Sequence, residues 1–147
     1  MWRARLSLPD AYTETRAHFS KIVTPNGLYA GWPGHGYYLA ESWAFAGLTA
    51  ELLLQSVGDI VRVFPAWAKA RDAKFTNLRA QGGFLVSAEQ KNAEVVKLEI
   101  SSTAGGRLRL LSPWPKVAVN GRELKPDGRG IVKVVTAPGE RLVFTTP

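Results

Sequence analysis

The chain contains no cysteine and only two histidines among its 147 residues. Without cysteine it can form neither a disulfide nor a thiolate metal site, and it gives no indication of a redox compartment, so its localisation stays open. His18 and His35 lack the neighbouring cysteines or paired carboxylates of a metal centre, so we expect no metal. The glycine pairs at 82–83 and 105–106 do not link a strand to a helix, which excludes a P-loop or dinucleotide phosphate site.

Long apolar runs are also missing. No run approaches the roughly 18 residues that a membrane helix needs, and the apolar run in residues 1–10 is too short for a signal peptide. The sequence therefore predicts no membrane partner.

Acidic residues are in the minority, which gives a net charge of +7 and an isoelectric point near 10.0. Lysine and arginine are nevertheless scattered from Arg3 to Arg141, and Asp72 interrupts the densest group, Lys69, Arg71 and Lys74. Such scatter is typical of a solvated surface, so we expect no nucleic-acid partner. A basic nucleic-acid binder stays an alternative, and it requires these cations to converge on one face.

Two segments of the first third have helical periodicity. Residues 10–23 predict an amphipathic helix, and residues 24–36 predict a loop because glycine and proline are dense there. Residues 41–56 predict a helix that is apolar around most of its circumference. One amphipathic helix and a β-domain can hardly cover it, so we expect missing partner surface and self-association through this helix.

After residue 58 the apolar residues alternate as they do in strands. Turn residues separate the runs, and Asn120-Gly121 is the best hairpin signal. The predicted strands are residues 60–64, 75–80, 84–89, 95–101, 108–112, 116–119, 131–136 and 141–145. The pattern predicts an α+β chain with a helical segment over residues 1–58 and an antiparallel β-sandwich over residues 59–147.

Several blocks in this order resemble the C-terminal end of glycoside hydrolase family 95 and its relatives. They are Glu-Leu-Leu-Leu-Gln-Ser at 51–56, Phe-Pro-Ala-Trp at 64–67, residues 75–88, Ile-Ser-Ser-Thr-Ala-Gly-Gly at 100–106 and Ser-Pro-Trp at 112–114. The resemblance implies the last helices of an α/α barrel followed by a C-terminal β-domain. It also implies a complete enzyme that hydrolyses α-L-fucosides or related glycosides, with a carbohydrate partner and no metal or organic cofactor.

The chain is too short for the barrel itself, so on this interpretation the chain alone is inactive. A stand-alone carbohydrate-binding or interaction module is the alternative, and it requires an exposed row of aromatic side chains on the sandwich. No second catalytic carboxylate can be named from the sequence.

The candidate catalytic residue is Glu41, which follows the glycine-rich loop and precedes the apolar helix. Members of family 95 carry a catalytic Asp in an Asp-Gly-Asn-Phe-like segment there, whereas this chain has Leu-Ala-Glu-Ser-Trp at 39–43. Glu41 is therefore either a catalytic carboxylate or a helix cap.

The loop before Glu41 carries the candidate substrate-binding residues Trp32, His35, Tyr37 and Tyr38. Their rings could stack on a sugar, or they could pack the loop onto the barrel. Trp67 and Trp114 are predicted to fill the domain junction, with sugar stacking as the alternative.

Overall fold

A computed structural model describes residues 11–23 and 39–147, and the side chains of 11–23 and 46–147. The first helix, α1, spans Ala11–Ile22 as its periodicity predicts. Glu14 in its first turn and Lys21 in its last turn complement the helix dipole. Its Ala11 end is buried, whereas most of its other side chains are exposed or half-buried.

The second helix, α2, spans Leu39–Leu53 instead of the predicted residues 41–56. It ends early because Leu54 and Gln55 form a strand, β1, whose backbone pairs with β2 at Val63 and Arg62. A strand partner satisfies the backbone groups that another helical turn would have satisfied. Leu52 and Leu54 are both buried, so the helix enters the β-domain directly.

Ten strands follow the helices. They are β1 Leu54–Gln55, β2 Arg62–Val63, β3 Ala73–Ala80, β4 Phe84–Lys91, β5 Glu94–Ser102, β6 Gly106–Leu111, β7 Val117–Val119, β8 Arg122–Leu124, β9 Ile131–Thr136 and β10 Arg141–Thr145. A short 3-10 turn, Val57–Asp59, connects β1 to β2. Each predicted strand overlaps an observed one, and β1 is the strand that periodicity assigned to a helix.

Six strands form one antiparallel sheet in the order β3-β4-β5-β10-β7-β8. The remaining strands form the antiparallel pairs β1-β2 and β6-β9. A parallel bridge between Val61 and Leu110 connects these two pairs, and we refer to the four strands together as the second layer.

Both layers contribute to one hydrophobic core. Phe84, Ile100 and Phe144 enter it from the six-stranded sheet, and Leu108 and Leu110 enter it from the second layer. Their alternation with exposed residues is what a sheet with one buried face requires. The described chain is therefore α+β, and its mainly antiparallel strands are consistent with the predicted β-sandwich. The domain boundary at residue 58 stays a prediction.

The predicted hairpin at Asn120-Gly121 is confirmed, since it joins β7 to β8. Both turn residues have positive φ, 49° at Asn120 and 80° at Gly121. Asparagine and glycine tolerate this left-handed conformation better than other residues. The Asn120 side chain also accepts the Val143 N–H at 2.8 Å, which fixes the hairpin against β10.

Candidate functional site

The site predicted from sequence lies mostly outside the described residues. The backbone of Glu41 lies in the first turn of α2, but its side chain is outside the described part of the chain. Trp32, His35, Tyr37 and Tyr38 are outside it as well. The catalytic role of Glu41 and the sugar-binding role of the four loop residues therefore stay predictions.

The described structure shows where the helices contact the β-domain. Trp67 contacts both the sandwich core and the small cluster of Ala11, Leu52 and Ala66, as predicted for a residue that fills the junction. Its ring meets Tyr12 edge-on, with ring centroids 4.8 Å apart. Its indole N–H donates to the Arg71 carbonyl at 3.1 Å, which fixes the ring. Trp67 therefore holds α1 against the β-domain.

Beside this contact lies a groove of about 390 Å³ between α1, α2 and Trp67. Phe19, Val23 and Leu52 belong to its apolar lining. Val23 is 45% exposed, so part of this lining faces solvent. A concave apolar surface of this kind is suited to another helix or to an apolar ligand group.

A second and larger groove, of about 750 Å³, lies at the β4–β5 turn of the sandwich. Trp114, half-buried between two prolines, lines it together with Val96 and Phe144. The Trp114 indole N–H donates to the Val95 carbonyl at 3.0 Å. Ser112 Oγ donates to the Trp114 carbonyl at 2.7 Å and accepts the Trp114 N–H at 3.2 Å. The ring is therefore held in one orientation before any ligand arrives.

Some of the polar groups that line the Trp114 groove already form hydrogen bonds within the protein. Gln90 is 4% exposed, and its amide nitrogen donates to the carbonyls of Arg71 at 3.0 Å and Ala68 at 3.3 Å. This amide holds the chain between β2 and β3 in place, a role that sequence reasoning did not find. Lys69 and Glu94 also line the groove and are exposed. The groove thus combines a fixed aromatic ring with polar groups at its edge.

Among the described side chains, three carboxylates have a lowered pKa. A hydrogen bond from Arg141 lowers the pKa of Glu99, and one from Lys91 lowers that of Glu89. The pKa of Asp127 is lowered chiefly because its carboxylate accepts the backbone N–H groups of Ile131 and Arg129, each at 3.0 Å. A general acid needs a raised pKa, so these three groups are suited to structural roles.

Among the described side chains, those of residues 11–23 and 46–147, no group of three histidine, aspartate or glutamate residues could hold a metal ion. Within residues 11–23 and 39–147, no helix is long and apolar enough to cross a membrane. No protein-family model matches the chain, and no curated protein matches it.

Proposed function

We propose that this chain is the C-terminal part of a glycoside hydrolase similar to family 95, and that the complete protein hydrolyses α-L-fucosides or related glycosides. The ordered sequence blocks between residues 51 and 114 support this proposal. The passage of α2 into β1 without a linker supports it as well, because the family resemblance implies a last barrel helix that leads into a β-domain.

The open groove beside Trp67 is the observation that supports the proposal most strongly. Its lining from α1, α2 and Trp67 is largely apolar, and helices of a barrel bury such surfaces against one another. In the complete protein, further helices would cover this groove, and the β-domain would support the barrel through Trp67. Without those helices, the groove would favour self-association of the chain.

The chemistry requires two carboxyl groups on opposite sides of the glycosidic bond. Glu41 would supply one of them, at the start of α2, and the catalytic domain outside this chain would supply the other. The loop residues Trp32, His35, Tyr37 and Tyr38 would hold the sugar by stacking and hydrogen bonding. Reaction by this route needs no metal and no organic cofactor.

The test compares this chain with a longer product that includes the reading frame upstream of Met1, using an aryl α-L-fucoside. We expect turnover from the longer product and none from the chain alone. In the longer product, Glu41→Gln should lower kcat about 10²- to 10⁴-fold, the usual contribution of a positioned acid or base. The matched control is Glu123→Gln, because Glu123 is exposed on β8 of the sandwich.

Turnover by the chain alone that is lost in Glu41→Gln would contradict the proposal that the catalytic site is incomplete here. An upstream frame without several hundred residues of helical pattern would contradict the glycosidase assignment itself.

The Trp114 groove favours a second candidate function, carbohydrate binding by the sandwich alone. Among the described side chains every phenylalanine, tyrosine and tryptophan ring is buried or half-buried, so the exposed row expected of such a module is not found there. A single fixed ring in a groove can still stack on one pyranose. NMR titration with L-fucose, D-galactose and D-glucose would test this function. Binding should disappear in Trp114→Ala and persist in Trp67→Ala.

A further inference from the structure

Two arginines lie side by side on the outer face of the second layer. Arg107 and Arg109 alternate on β6 with Leu108 and Leu110, which are completely buried. Side chains two residues apart on a strand share a face and are separated by about 7 Å. Both guanidinium groups therefore project from the same side of the sheet.

These arginines form one wall of a pocket of about 310 Å³. Val61 and Phe84, which are 2% and 3% exposed, also line it, and the β3–β4 turn at Gln81 and Gly82 closes another side. Arg109 is half-buried at this pocket, whereas Arg107 is exposed.

The charge of the pocket is not balanced by the described residues. Arg109 makes one long contact, 3.5 Å from Nη1 to the Gly58 carbonyl oxygen, and a carbonyl carries no net charge. Lys133 lies directly opposite Arg109 on β9, and like charges in that register repel each other. Lys133 forms an ion pair with Asp127, with 3.4 Å between Nζ and Oδ2. No ion pair within the described part of the chain involves Arg107 or Arg109.

Asp59 is the acidic residue of the pocket. It forms no ion pair within 4.0 Å with either arginine, and it occupies a left-handed turn position with φ of 59°. Its carboxylate lowers the positive potential of the pocket. The net charge of Arg107, Arg109 and Asp59 together is still +1.

We propose that this pocket binds a compact oxyanion, such as a phosphate or sulfate group, between Arg107 and Arg109. Guanidinium groups match such anions because their N–H donors form paired, charge-assisted hydrogen bonds. The site is independent of the glycosidase proposal, because it lies entirely on the sandwich and uses none of the loop residues. An anionic substituent on a larger ligand would enter through the same opening.

The test is an NMR titration of the full chain with inorganic phosphate at constant ionic strength, repeated with sulfate and with acetate. We expect saturable shifts of the Arg107 and Arg109 side-chain N–H signals, with a dissociation constant in the millimolar range for phosphate and sulfate. Arg107→Gln and Arg109→Gln should each weaken binding about tenfold or more, because each removes charge-assisted hydrogen bonds. Arg79→Gln is the matched control, since Arg79 is exposed on β3 between Leu78 and Ala80, which face the core.

Asp59→Asn provides a variant that should gain affinity instead of losing it. Asparagine tolerates positive φ, so the turn should fold normally, and removal of the negative charge should strengthen phosphate binding several-fold. Unchanged affinity in Asp59→Asn together with unchanged affinity in both arginine variants would overturn the proposal.

A final titration with a short single-stranded oligonucleotide distinguishes a pocket from a diffuse basic surface. Binding that Arg79→Gln weakens as much as Arg107→Gln would mean general attraction to phosphates, and it would also overturn the proposal.

Discussion

Replacement of Trp67 by alanine should weaken the attachment of α1 to the sandwich while the sandwich stays folded. Trp67 is half-buried and is in contact with both parts of the chain, through Tyr12 on α1 and through the β-domain core. Burial of roughly 100 Å² of its surface contributes about 2.5 kcal/mol at about 25 cal/mol per Å². We assign about half of that area to the contact with α1 and add about 1 kcal/mol for the aromatic pair. The contact therefore stabilises the attachment of α1 by about 2 kcal/mol.

Hydrogen exchange followed by mass spectrometry measures this local stability directly. A loss of about 2 kcal/mol should make the amides of α1 exchange about 30-fold faster, whereas β4 and β5 should change much less. The Arg71 guanidinium, 5.6 Å from the Tyr12 ring centroid, remains in Trp67→Ala, so some residual protection of α1 is expected.

Trp114→Ala is the matched control because Trp114 is also half-buried and donates its indole N–H to a backbone carbonyl, but it lies in the sandwich groove. It should leave exchange in α1 unchanged. Equal acceleration of α1 in both variants, or none in Trp67→Ala, would refute the reasoning that Trp67 specifically connects the helices to the sandwich.

Two further predictions concern the sandwich. The Glu99 pKa is lowered below its usual 4.5 mainly by its hydrogen bond from Arg141, so the ion pair stabilises the fold above that pH and the stabilisation is lost as pH falls further. In urea unfolding between pH 6 and pH 3, Glu99→Gln should therefore show a smaller loss of stability than the parent chain, and an identical pH profile would contradict this. Gly121→Ala should cost about 1 to 2 kcal/mol because φ is 80° there. Gly128→Ala should leave the stability nearly unchanged in the same urea experiment, because Gly128 has no positive φ and no atom lies within 4 Å of an added Cβ. An equal loss of stability in both variants would show that the positive φ of Gly121 does not cause the effect.

Local sequence patterns predicted most of the β-domain. Turn residues mark the ends of strands because few residues tolerate positive φ or interrupt a ladder, and this constraint acts over four or five residues. The Asn120-Gly121 hairpin is the clearest case, since both residues adopt the expected left-handed conformation. Alternation on β4 likewise matches its observed burial, with Phe84, Val86 and Ala88 facing the core.

The prediction was wrong where a distant partner competes with local preference. Leu54 and Gln55 continue the apolar helical pattern of α2, yet they form β1 because Val63 and Arg62 offer backbone partners. Similarly, the local pattern predicts an ordinary strand residue at Gln90, but its side-chain amide donates hydrogen bonds to carbonyls about 20 residues away in sequence. Neither outcome can be read from a local window.

The sequence by itself determined where strands and turns occur, that α2 is apolar on most sides, and that the chain has no cysteine chemistry. These properties depend on residue type and on near neighbours. The tertiary structure alone decided that Arg107 and Arg109 share a pocket with Asp59, and that Ser112 and the Val95 carbonyl fix the Trp114 ring. Contacts of this kind depend on how two sheets align across a common core, and strand register over long sequence separations is set by the packing of the whole domain.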